Sequence, residues 1–199
     1  MEFKVKKGEF PSFEQWINSV PNLPRKQSTL LIAIDGCGGS GKSTLAKLLS
    51  EKRPNVIIVH MDDFYFPREQ IIQRPPIQKT IGADVDWQRV LKQVIEPISQ
   101  ERPARYQRYD WDSDQLAEWH DVPIGKIVII EGVYSSRNEL AGYYDFTIWV
   151  DCPRELRLSR GIERDGESAR DIWENNWMVA EDLYVQKHRP QDRVDLVVE

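Results

Sequence analysis

Three observations predict a three-layer α/β/α fold around a mostly parallel, five-stranded sheet. Five short apolar runs rich in Val and Ile lie at 29–35, 56–60, 127–131, 146–151 and 194–198. They lack polar alternation, which marks strands buried on both faces. Helical patterns separate most of them, and strands joined through helices lie parallel with helices on both sides. Finally, a glycine-rich turn, Gly36 to Gly41, stands between the first run and a helical segment.

The elements follow in chain order. Ser12 and Gln15 have capping-box spacing, and Phe13, Trp16, Ile17 and Val20 recur on one helical face. Pro21, Pro24 and the Arg25-Lys26 pair then break to a linker. Residues 1–28 are thus expected to form a helix and linker packed on the core, and 29–199 the main domain. Val90, Leu91, Val94, Ile95 and Ile98 predict an amphipathic helix ending at or soon after Pro97. Trp173, Trp177, Ala180 and Tyr184 predict another. Residues 65–86 and 102–125 are polar and proline-bearing and read as loops or small insertions. Long loops in a compact domain commonly carry function.

The chain has 199 residues with 40% apolar and 30% charged side chains, the composition of a folded domain large enough to bury a core. Net charge is −5, which argues against a nucleic-acid binder. Cys37 and Cys152 have neither disulfide-framework nor zinc spacing. Cys37 reads as a tolerated small side chain rather than a reactive thiol. No run reaches membrane-spanning length and the first residues do not open a signal peptide, so a cytoplasmic protein is expected.

The run Gly36-Cys37-Gly38-Gly39-Ser40-Gly41-Lys42-Ser43 fits G-x-x-x-x-G-K-[ST] in full, between a buried strand and the helix opening at Thr44. Glycines turn the backbone tightly, so that successive N–H groups, with a helix start, face one anion. Lys42 reaches the β- and γ-phosphates, and Ser43 supplies a hydroxyl for Mg²⁺. The expected cofactors are therefore ATP and Mg²⁺, held by Gly36, Gly38, Gly39, Ser40, Gly41, Lys42, Ser43 and Thr44 in a P-loop NTPase fold.

Other candidates sit at strand ends. Asp62 or Asp63, after the second strand, is placed as the base that a kinase needs for an acceptor hydroxyl. A pair of turn-forming aspartates is the competing reading. Glu131 ends the third strand, where carboxylates hold Mg²⁺ or its waters; a solvated strand-end glutamate is the competing reading. Arg157, Arg160 and Arg164 share one helix face. They either converge on a transferring phosphoryl group or form a salt-bridged surface helix. Arg102 to Tyr109 mixes basic and aromatic residues. It either receives an anionic or sugar-bearing substrate or is a salt-bridged hairpin balancing Asp110 to Asp114.

Together the phosphate loop, Asp62-Asp63-Phe64-Tyr65, the Glu131-Gly132 strand end and Arg157-Leu158-Ser159-Arg160 with Arg164-Asp165 resemble the uridine/cytidine kinase group of P-loop kinases. Relatives in that group include nicotinamide riboside, pantothenate and phosphoribulokinases. The resemblance runs from about Thr29 to Val198. It implies Asp62 as catalytic base, with Lys42 and Arg164 assisting. It further implies Ser43, Glu131 and Asp62 at Mg²⁺, Arg160 and Arg164 at phosphates, and a small arginine-bearing lid over 153–175. Asp63, Tyr65, Asp84, Tyr109, Trp111 and Asp114 become substrate-side residues, with 102–125 a substrate-side insertion. Asp84 resembles the aspartate that holds ribose hydroxyls, with Asp86 the competing choice.

The chain departs from that group where it reads a pyrimidine. The base-reading His and Arg become Asp114 and Leu116, and an ionised carboxylate only accepts hydrogen bonds. Gly161 stands where many relatives carry another lid arginine. The expected function is an ATP-dependent small-molecule kinase acting on a nucleoside 5′-hydroxyl. Two alternatives stand beside it: a kinase for another metabolite, such as nicotinamide riboside, pantothenate or glycerate, and a nucleotide-binding switch without an acceptor. The expected partner is a small-molecule substrate, with no nucleic acid and no membrane. The resemblance also admits a homo-oligomer, although no interface is legible.

Overall fold

The computed structural model describes residues 3–199; Met1 and Glu2 of the segment 1–28 lie outside the described residues. The strands are β1 (Val5–Lys7), β2 (Leu30–Asp35), β3 (Val56–His60), β4 (Ala104–Asp110), β5 (Gln115–Val122), β6 (Ile127–Glu131), β7 (Phe146–Val150) and β8 (Leu196–Val198). Six of them form one sheet in the order β1-β8-β7-β2-β6-β3. The β2–β6, β2–β7, β3–β6 and β7–β8 pairs are parallel.

The main sheet therefore has one strand more than the five expected. The addition is β1, antiparallel to β8 through Val5 opposite Val198 and Lys7 opposite Val197. Its three residues, two of them Lys, have no apolar pattern to read. Lysines are also the residues that protect an exposed sheet edge. Lys6 Nζ closes that edge onto Asp151 at 2.8 Å.

Strand residues alternate between two apolar layers. Leu31 and Ala33 of β2, with Val128 and Ile130 of β6, face a cluster that holds Val90, Val94, Ile95, Ile98 and Tyr184. Leu30, Ile32 and Ile34, with Ile127 and Ile129, face the other, which holds Trp16, Ile17, Val20, Leu45, Ala46 and Leu49. The N-terminal helix α1 (Phe13–Ser19) thus packs beside α2 (Lys42–Lys52), the helix after the glycine turn. Ser12 caps α1 by accepting from the Gln15 N–H at 3.2 Å.

The helix α3 covers residues 87–99 and contains a π segment, Leu91–Ile95. It runs past Pro97 to Ser99. The extra residue of the π turn loosens the ladder just ahead of a proline, which has no N–H to give and crowds the preceding turn. The helix α4 is Arg154–Asp165, and α5 covers 170–188, again with a π segment at Trp173–Trp177.

Of the loop and the small insertion expected over 102–125, the insertion is observed: β4 and β5 form a separate two-stranded hairpin. Most of β5 is solvent-exposed, so no buried face writes alternation into the sequence. Of the two readings left open, the salt-bridged hairpin is the observed arrangement. Arg108 pairs with Glu118 at 2.6 Å and Asp110 at 3.0 Å, and Arg105 with Asp121 at 3.3 Å. Arg89 of α3 anchors the hairpin by donating to the Gln107 carbonyl at 2.5 Å and the Asp63 carbonyl at 3.0 Å. Among the described residues no helix is long and apolar enough to cross a membrane.

Candidate active site

The carboxyl ends of β2, β3 and β6 open into one cavity of about 530 Å³. Ligands of open α/β sheets bind at such strand ends. Asp35 ends β2 fully buried and fixes the entry to the glycine turn. Its carboxylate accepts from Gly36 N–H at 2.7 Å, Ser136 N–H at 2.9 Å, Ser136 Oγ at 2.7 Å and Tyr184 Oη at 2.6 Å. Burial pushes its pKa up against those donors.

The loop itself lies against α4. Gly39 has φ +74°, and a Cβ there would stand 2.5 Å from the Arg157 carbonyl oxygen. Any side chain would separate loop and helix. Arg160 uses the same proximity and donates to the Gly39 carbonyl at 3.2 Å. Lys42 Nζ rests on the Cys37 carbonyl at 3.0 Å. Cys37 is buried and its thiol is pushed well above its ordinary value by burial, which keeps it protonated.

Ser43 Oγ donates to Glu131 Oε1 at 3.1 Å, and His60 Nδ1 lies 2.7 Å from Glu131 Oε2. Burial works to raise the Glu131 pKa, but the His60 contact and the Lys42 charge outweigh it and hold the carboxyl below its ordinary value. His60 is raised, chiefly by its hydrogen bond to Glu131. Asp62 stands low in the cavity, crowded by protein yet open to solvent within it. That crowding, then the Glu131 charge, pushes its pKa up against Lys42. A carboxylate raised in this way is a stronger base than a free one.

On the far wall, the segment 79–85 pairs back onto 64–66. Phe66 N–H donates to the Asp84 carbonyl at 3.1 Å and Asp86 N–H to the Phe64 carbonyl at 2.7 Å. Tyr65 and Trp111 line the cavity with ring centroids 4.5 Å apart. Asp84 also lines it, while Asp86 caps α3 through the Arg89 N–H at 2.9 Å.

Of the expected site residues, Gly38, Gly39, Gly41, Lys42, Ser43, Thr44, Asp62, Tyr65, Asp84, Trp111, Glu131, Arg160 and Arg164 border this cavity. Gly36 and Ser40 lie behind it, shaping the loop. Three of the expected substrate-side residues, Asp63, Tyr109 and Asp114, do not border the cavity. Asp63 accepts from Tyr106 Oη at 3.0 Å and ties the hairpin to the 61–64 turn. Asp114 accepts from Tyr109 Oη at 2.6 Å and the Arg68 N–H at 2.9 Å, so it and Tyr109 fasten the hairpin tip to the 65–70 segment. A short carboxylate with two donors at hand satisfies itself locally rather than facing a ligand.

The arginine face divides. Arg157 is buried and paired with Glu181 at 2.9 Å, whereas Arg164 pairs with Asp165 at the cavity rim. Arg170 is held at the surface by Glu167 and Glu174.

Sequence reasoning missed four contributors. Glu181 accepts the Gly38 N–H at 2.8 Å, joining α5 to the glycine turn. Burial pushes its pKa up, against that N–H, Lys42 and Arg157. Trp173 packs on Gly161 and donates its Nε1–H to Asp165 at 2.9 Å. Lys79 pairs with Asp84, and His60 orients Glu131. The one signal available was an acidic residue on an otherwise apolar stripe of α5; the other contacts leave no mark in the pattern of the sequence.

The residues fit Mg²⁺-ATP. The first-turn N–H groups of α2 have no intrahelical acceptors, and Ser40 Oγ is buried without a partner. Ser43, Glu131 and Asp62 offer only oxygen ligands. Among the described residues no three His, Cys, Asp or Glu side chains form a metal cage. Mg²⁺ is commonly held in that manner, through one or two carboxylates with phosphates and water.

The model of the AAA_18 family, an AAA domain, matches residues 32–181. The chain is 25% identical over 170 residues to a uridine kinase of Schizosaccharomyces pombe, a match covering 81% of this chain and 37% of that protein. It is 27% identical over 183 residues to a uridine kinase of Mycoplasma pneumoniae, covering 85% of this chain and 84% of that one. A solved structure from Bacillus stearothermophilus, described as a possible uridine kinase, superposes with a TM-score of 0.73 at 23% identity over 92% of this chain and 95% of that chain. The chain belongs to the AAA_18 family of AAA domains, and its fold and motifs are those of a uridine kinase-like P-loop kinase.

Proposed function

We propose that this protein transfers the γ-phosphoryl group of ATP to an alcohol, a nucleoside 5′-hydroxyl. One observation carries the reading: the Asp62 carboxylate opens into the same cavity as Lys42, Ser43 and Glu131. A kinase of this kind needs a phosphate cradle and a base facing the acceptor from across it. Asp62 orients the hydroxyl and takes its proton. Lys42 and Arg164 neutralise charge on the transferring group. Mg²⁺, held through Ser43, Glu131 and Asp62, would supply Lewis-acid charge to the phosphates.

A second acceptor class has its own support. Asp114 is turned away and Leu116 does not border the cavity, so the pyrimidine-reading positions contribute nothing there. That favours a metabolite other than uridine or cytidine within the same chemistry.

ADP release from Mg²⁺-ATP across a panel of nucleosides, nicotinamide riboside, pantothenate and glycerate tests both readings. Asp62→Asn is expected to lower turnover about 10²–10⁴-fold. Turnover near wild type in that variant would remove Asp62 as the base.

A further inference from the structure

A second cavity, of about 470 Å³, lies behind the wall formed by the segment 79–85. Thr80, Ile81, Gly82, Ala83 and Val85 border both cavities, so a single stretch of chain separates them. The phosphoryl transfer described above uses only the front one.

Arg137 borders the rear cavity, and its side chain is 5% exposed. Its Nε and Nη2 donate to the two oxygens of Glu139 at 2.8 and 3.0 Å. The guanidinium stacks on Trp87, 4.4 Å from the ring centroid. Nη1 is left over: it is buried and has no hydrogen-bond partner among the described residues. It stands 3.3 Å from where a Cβ on Gly82 would be, against the back of the wall. A buried donor without a partner costs stability, and an acceptor that reaches it recovers that cost.

The other groups at this cavity favour an anion as the acceptor. The two carboxylates that border it are engaged, Glu139 by Arg137 and Asp86 by the Arg89 N–H at 2.9 Å. Lys187 borders it with no ion-pair partner among the described residues. His188 Nδ1 accepts the Asn138 N–H at 3.3 Å, which leaves Nε2–H as a donor. Phe66, Ile81, Val85 and Trp87 supply apolar surface beside these donors. A cavity of this size suits a small molecule held at one end by a few polar groups.

Gly82 closes Nη1 off, so an anion gains that donor only by displacing Gly82. The same displacement moves Asp84 and the front face of the wall, where the acceptor lies.

We propose that the rear cavity is a binding site for a small organic acid, an anionic head on a compact apolar body, and that its occupancy shifts the shared wall and weakens acceptor binding. The site is independent of the kinase reading; its effect on turnover rests on that reading.

The test uses the full chain with Mg²⁺-ADP saturating the phosphate loop. Calorimetry measures the binding of benzoate and phenyl phosphate, two probes that share a ring and differ in the head. Wild type is expected to bind at least one of them in the millimolar range, and the tighter probe names the head as carboxylate or phosphate. Lys187→Glu, at an exposed position, replaces attraction by repulsion and should weaken binding about fivefold. Arg137→Gln should weaken it further. An ADP-induced rise in melting temperature confirms that each variant is folded. In turnover assays the probe should raise the acceptor KM about fivefold or more and leave the KM for ATP unchanged, a coupling of ordinary size. Lys187→Glu should keep wild-type turnover without the probe and lose its inhibition.

The site is overturned if neither probe binds in the millimolar range, or if binding is unchanged in folded Lys187→Glu. A crystal of the complex with the probe seated outside the rear cavity overturns it too. Binding there with the acceptor KM unmoved overturns the coupling and leaves the site. Silence with every acceptor removes the kinase reading and the coupling together, while the binding measurement still decides the site.

Discussion

His60 shows how a single residue couples the site to pH. Its folded pKa is raised from the ordinary 6.5, so it stabilises the fold fully below that value and the contribution fades as pH rises through the folded pKa. Glu131 is lowered from 4.5, so its contribution is present above that value and fades as pH falls through its folded pKa. The pair is therefore strongest between the two ordinary values. His60→Gln should destabilise the protein most near about pH 5.5 and least near about pH 8.5. The His60 side chain is 48% exposed, and water screening limits the difference to under about 1 kcal/mol. Urea unfolding of both proteins at the two pH values measures it; a gap that widens with pH would overturn the assignment.

Between elements, α4 and α5 come closest at a glycine. A Cβ at Gly161 would stand 2.5 Å from the Trp173 ring, which is itself nearly fully buried. A rigid indole has no flexible end to withdraw, so Gly161→Ala must displace the ring or the helix. Overpacking of this kind costs about 1–3 kcal/mol. Trp173 also touches Gly38 and holds Asp165, the partner of Arg164. The same substitution should therefore raise the KM for ATP, while Gly142→Ala, with nothing within 4 Å, serves as the neutral comparison. Equal stability of the two variants would show that the α4–α5 contact yields freely.

For the whole molecule, the nucleotide site is assembled from segments remote in sequence. Gly38 is fixed by Glu181 and Gly36 by Asp35, whose carboxylate also holds Tyr184. A ligand at the loop thus restrains both ends of the chain's core. At a hundred times its Kd, a ligand of the folded state alone contributes about 2.7 kcal/mol. For a chain of this size that is a rise of about 5–10 °C in melting temperature. Mg²⁺-ADP should produce it, and Lys42→Ala should remove most of it. Scanning calorimetry decides, and a full shift in Lys42→Ala would mean binding elsewhere.

Local order in the chain is enough to specify five strands of the sheet, their parallel run and the phosphate loop. Those depend on local order: a buried strand writes a continuous apolar run, and a P-loop writes glycines at fixed spacing. It also located Asp62 and Glu131, because strand ends are legible once strands are. It did not determine β1 or the hairpin, whose residues lack a buried face. Nor does it show that Asp63 accepts from Tyr106, or that Asp114 accepts from Tyr109 and Arg68, contacts that tie the hairpin to its neighbours. Which charges meet across the molecule is fixed by the packing alone: Arg157 with Glu181, His60 with Glu131. An ion pair between segments far apart leaves no periodicity in either one, and it exists only once the fold has brought them together.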